Sequence, residues 1–511
     1  MPSPRKSSPI TTGTYELPQQ FAERIREQFP EEYPEFLLAL DVPPATSIRL
    51  NPHKWKWLVA QSDFPNKTPD AIKHITGTNA SPVPWTQNGW FLRDRPSFTL
   101  DPLFHAGCYY VQEAGSMVLE HVLSLPELRE NSDLILDSCA APGGKSTLIA
   151  AMFPKSLIVA NEVIRSRIPA LLENCTKWGT GNLVVTQSDP VRFTALEAFF
   201  DLAVVDAPCS GEGLFRKNPP SRMEWSPDNA HHCALRQRTI LMDTWKAIRP
   251  GGHLIYTTCT FNPEENEHNV AWLLEQTDGD CVPVPGGMMR EIRVGNVTGY
   301  GLYPHRSQGE GFFLSVIRKP APDGNLLPRR PYIRAKHIIE PEPFALKKTS
   351  EWLTTKTPMA PLNHPTGAPS NSQPGISADS AASTDSDFRQ FQIRDRLFRI
   401  RSNHWNSLHI LSSQLPVRYA GTEIAGIIRD DVRPAAAAAL DMHLNCRHFP
   451  KIACTRDDAL RFLRRESLPV PESADTGWHL ATFHSIPLGW LKNIGRRMNN
   501  YHPKEWRIRQ F

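Results

Sequence analysis

Two stretches of this 511-residue sequence each place a cysteine directly after an apolar run that is typical of a buried strand. In VVDAPCSGEG (204–213) the run is followed by Asp206 and Cys209, and in YTTCT (256–260) it is followed by Cys259. The thiolate is the nucleophilic form of cysteine, and near pH 7 its formation needs a cationic or dipolar neighbour. We therefore treat both thiols as candidate catalytic groups, against the alternative that they are small buried hydrophobes.

A glycine-rich loop, DSCAAPGGKST (137–147), is a further candidate site and allows two interpretations. Its GKS (144–146) resembles the end of a phosphate-binding P-loop, but that motif requires Gly or Ala where this chain has Cys139. Pro142 also removes a backbone N–H donor from the loop. The alternative is a nucleoside cofactor that approaches the small residues and points its carboxylate end at the following helix N-terminus. We favour the nucleoside cofactor.

Acidic residues follow the next two apolar runs. Glu162 follows LIVAN, and it could accept hydrogen bonds from ribose hydroxyls, as the matching acid does in dinucleotide-binding folds. Asp189 follows LVVTQS, and it could bind an adenine amino group. Each acid could instead cap the helix that follows it. Their places at the ends of successive predicted strands favour the cofactor role.

The elements that must position these residues alternate regularly between about 116 and 320. Apolar β-rich runs (LILDSCA, SLIVANE, NLVVTQSD, LAVVDAPC and HLIYTTCT) alternate with helical patterns (GKSTLIAAMF, SRIPALLENCTKWG, RQRTILMDTWKAI and PEENEHNVAWLLEQ). Strands that are buried on both faces and separated by helices predict a mainly parallel, doubly wound α/β sheet. Ligands bind such sheets at the carboxyl ends of the strands. Those ends carry Asp137, Glu162, Asp189, Asp206 and Cys259.

The rest of the chain divides into regions of different composition. Residues 1–17 predict a disordered tail, and 18–115 begin with a helical pattern followed by tryptophan- and proline-rich strands and turns. Within a connector (321–390), residues 357–387 are rich in Pro, Ser, Ala and Asp and predict a disordered linker. Residues 391–511 predict a last domain with strand-like and helical pieces.

Composition excludes several classes of protein. Hydrophobic residues make up 40% and charged residues 22% of the chain, which is ordinary for a soluble protein. No apolar run approaches the roughly 18 residues of a membrane span, and the first residues lack the apolar segment of a secretory signal. The nine cysteines contain no CxxC pair, which argues against disulfides or a zinc site and for a reducing cytoplasm. The net charge of +4 does not by itself indicate a nucleic-acid partner.

Three motifs, DSCAAPGGKST, VVDAPCSGEGLFRK and YTTCTFNPEENE, together resemble those of the Nop/Sun family of RNA cytosine-5 methyltransferases. The resemblance extends through RLNP (49–52), FHAGCYYVQEAGSM (104–117) and PHRSQGEGFF (304–313). The closing LGWLKNIGRRMNN (488–500) is similar to that of bacterial ribosomal RNA members with a PUA-like module. The resemblance implies an α/β, Rossmann-like class I methyltransferase core, an N-terminal α+β RNA-binding region and a mainly β C-terminal PUA-like domain.

The resemblance also assigns roles to the candidate residues. Cys259 would be the thiol that attacks the base, and Cys209 would assist release of the methylated product. Asp206 would hold ring nitrogen 3, and Lys145 would lie near the cofactor and the catalytic residues. S-Adenosylmethionine is the implied cofactor. Its expected contacts are Cys139, Ala140, Ala141, Pro142, Gly143, Gly144, Lys145, Glu162, Asp189 and Asp206.

The chemistry explains why such residues are needed. Carbon 5 of cytosine is a poor nucleophile, but addition of a thiolate to carbon 6 produces an enamine whose carbon 5 can attack a methyl sulfonium. A base must then remove the proton from carbon 5 before the thiol can leave, so that one difficult step becomes two easier ones. DNA cytosine-5 methyltransferases use the cysteine of a Pro-Cys pair as nucleophile, which would nominate Cys209. The TTCT motif followed by NPEENE favours Cys259.

The target base must leave its stack, so basic residues near the site and at the C-terminus are candidates for RNA contact. Trp490, Tyr501 and Trp506 lie among the C-terminal basic residues, as a stacking surface requires. The alternative for this segment is a solvated basic helix. The predicted RNA contacts are Arg216, Lys217, Arg306, Lys492, Arg496 and Arg497.

These inferences predict a monomeric, cytoplasmic enzyme without a metal, which uses S-adenosylmethionine to methylate carbon 5 of a cytosine in small-subunit ribosomal RNA. Transfer RNA is the alternative substrate, because only the C-terminal module favours ribosomal RNA. The alternative from another class is a non-catalytic RNA-binding factor of ribosome assembly. Against it stand the intact Cys259, Cys209, Asp206 and Lys145.

Overall fold

A computed structural model describes residues 15–61, 64–130, 132–321, 332–353 and 387–509. Most of the predicted tail (1–17) and of the predicted linker (357–387) lies outside the described residues. The described helices are α1 (Gln19–Gln28), α2 (Tyr33–Asp41), α3 (Pro52–Val59), α4 (Thr68–Thr76), α5 (Pro102–His105), α6 (Leu119–Leu123), α7 (Pro126–Arg129), α8 (Gly144–Met152), α9 (Ile168–Trp178), α10 (Ser221–Glu224), α11 (Pro227–Ala247), α12 (Glu267–Gln276), α13 (Pro343–Thr349), α14 (Trp405–Gln414), α15 (Ala436–Leu440) and α16 (Arg456–Leu463). None of them is long and apolar enough to cross a membrane.

The described strands form four sheets. They are β1 (Thr46–Leu50), β2 (Ala80–Pro82), β3 (Gly89–Leu92), β4 (Tyr109–Val111), β5 (Leu134–Asp137), β6 (Leu157–Asn161), β7 (Leu183–Thr186), β8 (Phe200–Asp206), β9 (Ile248–Thr258), β10 (Asp280–Cys281), β11 (Arg290–Val294), β12 (Val297–Leu302), β13 (Phe312–Arg318), β14 (Phe388–Ile393), β15 (Arg396–Arg401), β16 (Val417–Ala420), β17 (Thr422–Ile428), β18 (Asp431–Pro434), β19 (Lys451–Ala453), β20 (Gly477–Phe483), β21 (Ile486–Asn493) and β22 (Met498–Asn500).

The largest sheet has the strand order β11-β12-β13-β9-β8-β5-β6-β7-β16, with β10 paired to β13. Strands β5 to β9 run parallel, and β13 is antiparallel to β9. The chain runs from β5 outward to β6 and β7, then returns to β8 on the other side, so the order reverses beside β5. Ligands bind doubly wound sheets at such a point. The predicted Rossmann-like α/β core is confirmed.

The local sequence explains these elements. The five predicted apolar runs form β5 to β9, and the four predicted helical patterns form α8, α9, α11 and α12. Every residue of β5, β6 and β7 is buried, because helices and neighbouring segments cover both faces of the parallel strands. Polar side chains are therefore concentrated where each strand ends. This pattern collects the candidate residues at one edge of the sheet.

The N-terminal region forms a smaller sheet, β2-β3-β1-β4, which is fastened to the core through the RLNP motif. Arg49 is only 2% exposed, and its guanidinium donates hydrogen bonds to the Gln112 side chain (2.7 Å), the Thr147 hydroxyl (2.7 Å) and the Gly144 carbonyl (3.1 Å). Asn51 caps α3 and also donates to the carbonyl of Trp178 (2.9 Å). The N-terminal region thus supports the first turn of α8, directly after the glycine-rich loop.

The C-terminal region, which the sequence predicts to be a last domain, contributes strands to three sheets. Residues 391–511 contribute to two small sheets, β14-β15-β17-β18 and β19-β20-β21-β22, while β16 extends the core sheet. Val417 pairs with Thr186, and Ala420 pairs with Val184, so β16 covers the edge of β7. An uncovered edge strand exposes unpaired backbone groups, which explains why a strand from outside the predicted core (116–320) completes this sheet.

Gly421, between β16 and β17, gives a test of this connection. Its φ is +64°, and an added Cβ would lie 2.1 Å from the carbonyl oxygen of Arg399. We expect Gly421→Ala to lower the free energy of unfolding by about 2–4 kcal/mol through backbone strain and overlap. The matched control is Gly426→Ala, whose Cβ would meet no atom within 4 Å. Urea unfolding followed by tryptophan fluorescence should separate the two variants, and equal midpoints would contradict this account.

Candidate active site

A cavity of about 910 Å³ opens at the carboxyl ends of the parallel strands. Because the strands lie side by side in the order β7-β6-β5-β8-β9, Asp189 and Glu162 lie to one side of the glycine-rich loop, and the two thiols lie to the other. Ala140, Gly143 and Gly144 belong to this loop without lining the cavity. Among the predicted residues, the cavity wall contains Cys139, Ala141, Pro142, Lys145, Glu162, Asp189, Asp206, Cys209, Lys217 and Cys259.

The two candidate thiols meet on this wall. The Sγ atoms of Cys209 and Cys259 are 3.2 Å apart, although 50 residues separate them in the chain. The backbone N–H of Gly213 donates to the carbonyl of Cys259 (2.8 Å), and a Cβ at Gly213 would lie 2.6 Å from that same oxygen. The close approach of the two loops therefore requires glycine at position 213.

The protonation of Cys209 follows from this contact. Its interaction with the Cys259 sulfur, together with burial, raises the pKa of Cys209 well above the usual value of a thiol. Cys209 therefore remains protonated near neutral pH and can donate its S–H to the sulfur of Cys259. All nine cysteines, which lie within the described residues, are free of disulfide bonds.

Lys145 and Asp206 form an ion pair beside the thiols. Lys145 Nζ is 2.7 Å from Asp206 Oδ2, and the Thr257 hydroxyl donates to Asp206 Oδ1 (3.0 Å). Burial lowers the pKa of Lys145, but the Asp206 carboxylate outweighs it, so the pKa of Lys145 is raised overall. Lys145 is thus a fixed cation near Cys259, of the kind that thiolate formation requires.

The glycine-rich loop is held by buried polar contacts. Asp137 is fully buried and accepts a hydrogen bond from the Ser146 hydroxyl (2.6 Å), and burial raises the pKa of Asp137 to about 7. Burial also raises the pKa of Cys139 to about 12, so this thiol stays protonated near neutral pH. Gly143 has φ +112°, a conformation that favours glycine. Arg167 reaches back and donates to the carbonyl of Ala141.

The two acids beyond the loop combine local hydrogen bonds with access to the cavity. Glu162 is 2% exposed; one of its oxygens accepts from the Ile164 N–H (2.8 Å) and the other lies 3.1 Å from Arg167 Nη1. Asp189 accepts from the Val191 N–H (3.1 Å). The capping alternative therefore holds for Asp189, which caps the short helix 190–196, but not for Glu162, because the helix that follows it has no side-chain cap. Both acids line the cavity.

The cavity also contains apolar residues that the sequence did not single out. Val163 and Ile164 are 51% and 48% exposed, yet they line the cavity directly beside Glu162. Apolar surface flanked by hydrogen-bonding acids suits a nucleoside, whose base needs a flat apolar contact and whose ribose needs acceptors. In the sequence, the only indication of this role is that two apolar residues follow Glu162, after the end of the buried strand. These acidic and apolar side chains therefore fit a nucleoside cofactor.

A second residue missed from the sequence is Glu212, which lies between two glycines. It is fully buried and accepts hydrogen bonds from Arg24 of α1 (2.6 Å), from the Trp225 indole (2.9 Å) and from the backbone N–H of Phe261 (3.0 Å). Glu212 thus links the N-terminal region to both cysteine loops. An acid inside a glycine-rich turn was the only local signal for this role.

Three predicted RNA contacts near the cavity have different environments. Arg216 is buried, and its guanidinium donates to Glu310 (2.9 Å) and to the Gly309 carbonyl (2.7 Å), so the expectation that it contacts phosphate is corrected. Lys217 is exposed and lines the cavity. Arg306 is paired with Glu32, and Arg306 lowers the pKa of that carboxyl to about 2.

The C-terminal basic segment is a hairpin of β21 and β22, so the alternative of a basic helix is wrong. Arg496 and Arg497 are exposed in its turn, and Lys492 lies 5.1 Å from the ring of Trp478. Trp490 is only 1% exposed and donates its indole N–H to the Ala435 carbonyl (2.8 Å). The expectation that Trp490 stacks on RNA bases is therefore corrected, because burial in the hairpin removes it from solvent.

This core sheet and its cavity define a Rossmann-like methyltransferase of the Nop/Sun type. Family models match three segments: 16S rRNA methyltransferase RsmB/F (125–318), the N-terminal domain of 16S rRNA methyltransferase RsmF (17–114) and the methyltransferase RsmF PUA domain (449–508). The chain belongs to the ribosomal RNA small subunit methyltransferase F family. The PUA match contains β19 to β22, so the other small C-terminal sheet lies outside it.

Individual relatives support this membership. The chain is 30% identical to the ribosomal RNA small subunit methyltransferase F of Shigella boydii serotype 18 over 510 residues, covering 96% of this chain and 97% of that protein. It is 36% identical to the same enzyme of Photobacterium profundum over 317 residues, covering 60% and 64%. A solved methyltransferase homologue from Pyrococcus horikoshii aligns with TM-score 0.50 and 27% identity, covering 60% of this chain and 96% of that one.

The contacts of Glu212 predict that Arg24 stabilises the two cysteine loops. We expect Arg24→Ala to lower the free energy of unfolding by about 2 kcal/mol, because it leaves a buried carboxylate without its charged partner. Arg26→Ala, on the exposed side of the same helix, is the control and should change it by less than about 0.5 kcal/mol. Chemical denaturation of both variants measures the difference. Similar losses would show that the buried ion pair is unimportant.

Proposed function

We propose that this enzyme transfers a methyl group from S-adenosylmethionine to carbon 5 of a cytosine in small-subunit ribosomal RNA. The observation that carries the proposal is the 3.2 Å approach of the Cys209 and Cys259 sulfurs on a cavity that Glu162 and Asp189 also line. The names of the relatives support the ribosomal substrate, with transfer RNA as the alternative. A ribosomal RNA substrate and nine free cysteines favour action in the cytoplasm.

Cys259 begins the reaction as the nucleophile. Its thiolate, near the cationic Lys145, adds to carbon 6 of the flipped cytosine, and a new C–S bond forms. As electron density moves onto nitrogen 3, the ring takes up there the proton that the Cys259 thiol released when it ionised. The Asp206 carboxylate, held by Lys145 and Thr257, accepts the hydrogen bond from that N–H. This preorganised acceptor stabilises the adduct without reorganisation of solvent.

Cys209 acts when the product leaves. A base takes the proton from carbon 5, the 5,6 double bond re-forms, and the bond between carbon 6 and the Cys259 sulfur breaks. Because its pKa is raised, Cys209 is protonated and can donate its S–H to the leaving thiolate of Cys259. The two thiols therefore have opposite requirements: one must ionise, and the other must keep its proton.

The cofactor would be held on the opposite side of the cavity. S-Adenosylmethionine, when bound, supplies an electrophilic methyl group. Glu162 would accept from its ribose hydroxyls and Asp189 from its adenine amino group, while Val163 and Ile164 would contact the base. The loop from Cys139 to Lys145 would pass close to the remaining part of the cofactor. These residues would bind and orient the cofactor.

Substitution of each thiol tests this division of roles. We expect Cys259→Ala to abolish methyl transfer, because no covalent adduct can form. Cys209→Ala should instead leave the enzyme covalently bound to its RNA, because the leaving thiolate loses its donor. Labelled methyl transfer and denaturing gels report the two outcomes. Cys281→Ala, in β10 and away from the cavity, is the control.

The reverse pattern, with a stable adduct from Cys259→Ala and none from Cys209→Ala, would make Cys209 the nucleophile. Bisulfite sequencing of total RNA from cells with and without the gene identifies the substrate. Loss of a modified cytosine from small-subunit ribosomal RNA supports the proposal, whereas loss from transfer RNA supports the alternative. No change in any RNA would favour a non-catalytic assembly factor.

The exposed turn of the C-terminal hairpin is proposed to contact RNA phosphates. We expect Arg496→Glu with Arg497→Glu to weaken RNA binding and to reduce the slope of log affinity against log salt by about one to two. The control carries the same charge change at Arg129, the last residue of α7, and at Lys155, just before β6, both of which are exposed and do not line the cavity. RNA affinity measured at several salt concentrations distinguishes the two variants. An equal loss of affinity in the control would indicate a general effect of net charge.

A further inference from the structure

A buried carboxylate behind the catalytic loops has no role in the steps above. Glu265, in the NPEENE motif just before α12, is fully buried. Its Oε2 accepts a hydrogen bond from the backbone N–H of Ser210 (2.9 Å) and another from the Gln237 side chain (2.8 Å). The same Gln237 amide also donates to the carbonyl of Pro208 (3.0 Å). The residues on both sides of Cys209 are therefore held by this pair.

The pair is in turn fixed to the strand that leads to Cys259. The Tyr256 hydroxyl donates to the backbone carbonyl of Glu265 (2.5 Å) and lies 3.0 Å from Gln237 Oε1. Asn269 of α12 donates to that Gln237 oxygen as well (2.8 Å). The network thus spans β9, α11, α12 and the segment around Cys209. It sets the position of Cys209 relative to the end of β9, where Cys259 lies.

We propose that Glu265 is a positioning residue that holds Cys209 beside Cys259 for release of the methylated cytosine. The inference rests on the proposed function, in which Cys209 assists release. Glu212 accepts instead from the backbone N–H of Phe261, in the loop that follows Cys259, whereas Ser210 and Pro208 are held by Glu265 and Gln237. Glu265 therefore has a distinct function, which is to orient the thiol that donates to the leaving group.

The charge of Glu265 adds a second effect. Burial raises the pKa of Glu265 to about 7, and the Glu265 carboxylate helps to raise the pKa of Cys209. The titratable groups facing it are Cys209 from the loop, Cys233 from α11, Tyr256 from β9 and Glu212 from the adjoining turn. Burial raises the pKa values of Cys233 and Tyr256, so neither ionises near pH 7. Ionised Glu265 both anchors the Ser210 N–H and favours the protonated Cys209.

The first test removes the anchor. Glu265→Ala should accumulate the covalent RNA adduct on denaturing gels, as Cys209→Ala does, while single-turnover methyl transfer stays within about twofold of the unmodified enzyme. Glu264→Gln is the matched control, because Glu264 is the preceding residue, is exposed and lies 3.6 Å from His231 at the surface. The control should neither accumulate adduct nor change transfer.

The second test keeps the shape and removes the charge, and it applies even if the alanine variant fails to fold. In the unmodified enzyme, protonation of Glu265 weakens its hold on Ser210, so adduct breakdown should slow as pH falls through about 7. Glu265→Gln is neutral throughout and should lack this inflection. The pKa of Glu265 is raised in the folded state, so the ionised side chain makes folding less favourable as pH rises above that value. Glu265→Gln removes this charge, and its Tm at pH 8 should therefore not be lower than that of the unmodified enzyme.

The outcomes separate the two proposals. If Cys209→Ala accumulates adduct but Glu265→Ala slows transfer and release equally without adduct, Glu265 has only a general structural role. An unchanged pH inflection in Glu265→Gln would also overturn the inference. If Cys209→Ala itself gives no adduct, the proposed role of Cys209 fails, and the inference fails with it.

Discussion

The site depends on the contact between the backbones of Gly213 and Cys259. Two loops that follow β8 and β9 approach so closely there that a hydrogen bond of 2.8 Å joins them and no Cβ can be accommodated. Adjacent parallel strands end at the same edge, but side chains would normally keep their loops apart. Glycine removes this separation, and the two sulfurs come within 3.2 Å. The remaining polar networks keep that contact in one geometry.

Three buried networks approach the site from different parts of the chain. Glu212 joins it to Arg24 of the N-terminal region, Glu265 joins it to α11 and α12, and Arg49 supports the glycine-rich loop through the Gly144 carbonyl. Buried charges are costly unless they are hydrogen-bonded, and here each has several partners. The N-terminal region is therefore part of the active-site framework, whatever it contributes to RNA binding.

The sheet order also divides the residues of the cavity into two groups. The acids after β6 and β7 lie on one side, the acid and thiols after β8 and β9 lie on the other, and the loop after β5 lies between them. In the proposed reaction, the methyl donor and the acceptor ring would therefore approach from opposite directions. Lys145 lies in the first turn of α8, directly after that central loop, and its ion pair with Asp206 connects the two sides electrostatically.

Local pattern was sufficient to predict the core strands, their helices and the candidate residues at the strand ends, because parallel strands that are buried on both faces are mostly apolar along their length. It could not show that Arg216 is buried, since its partner Glu310 lies 94 residues away. Nor could it show that β16 completes the core sheet or that Glu265 lies behind Cys209. Periodicity reports which face of an element is apolar, whereas only tertiary packing decides which distant groups meet.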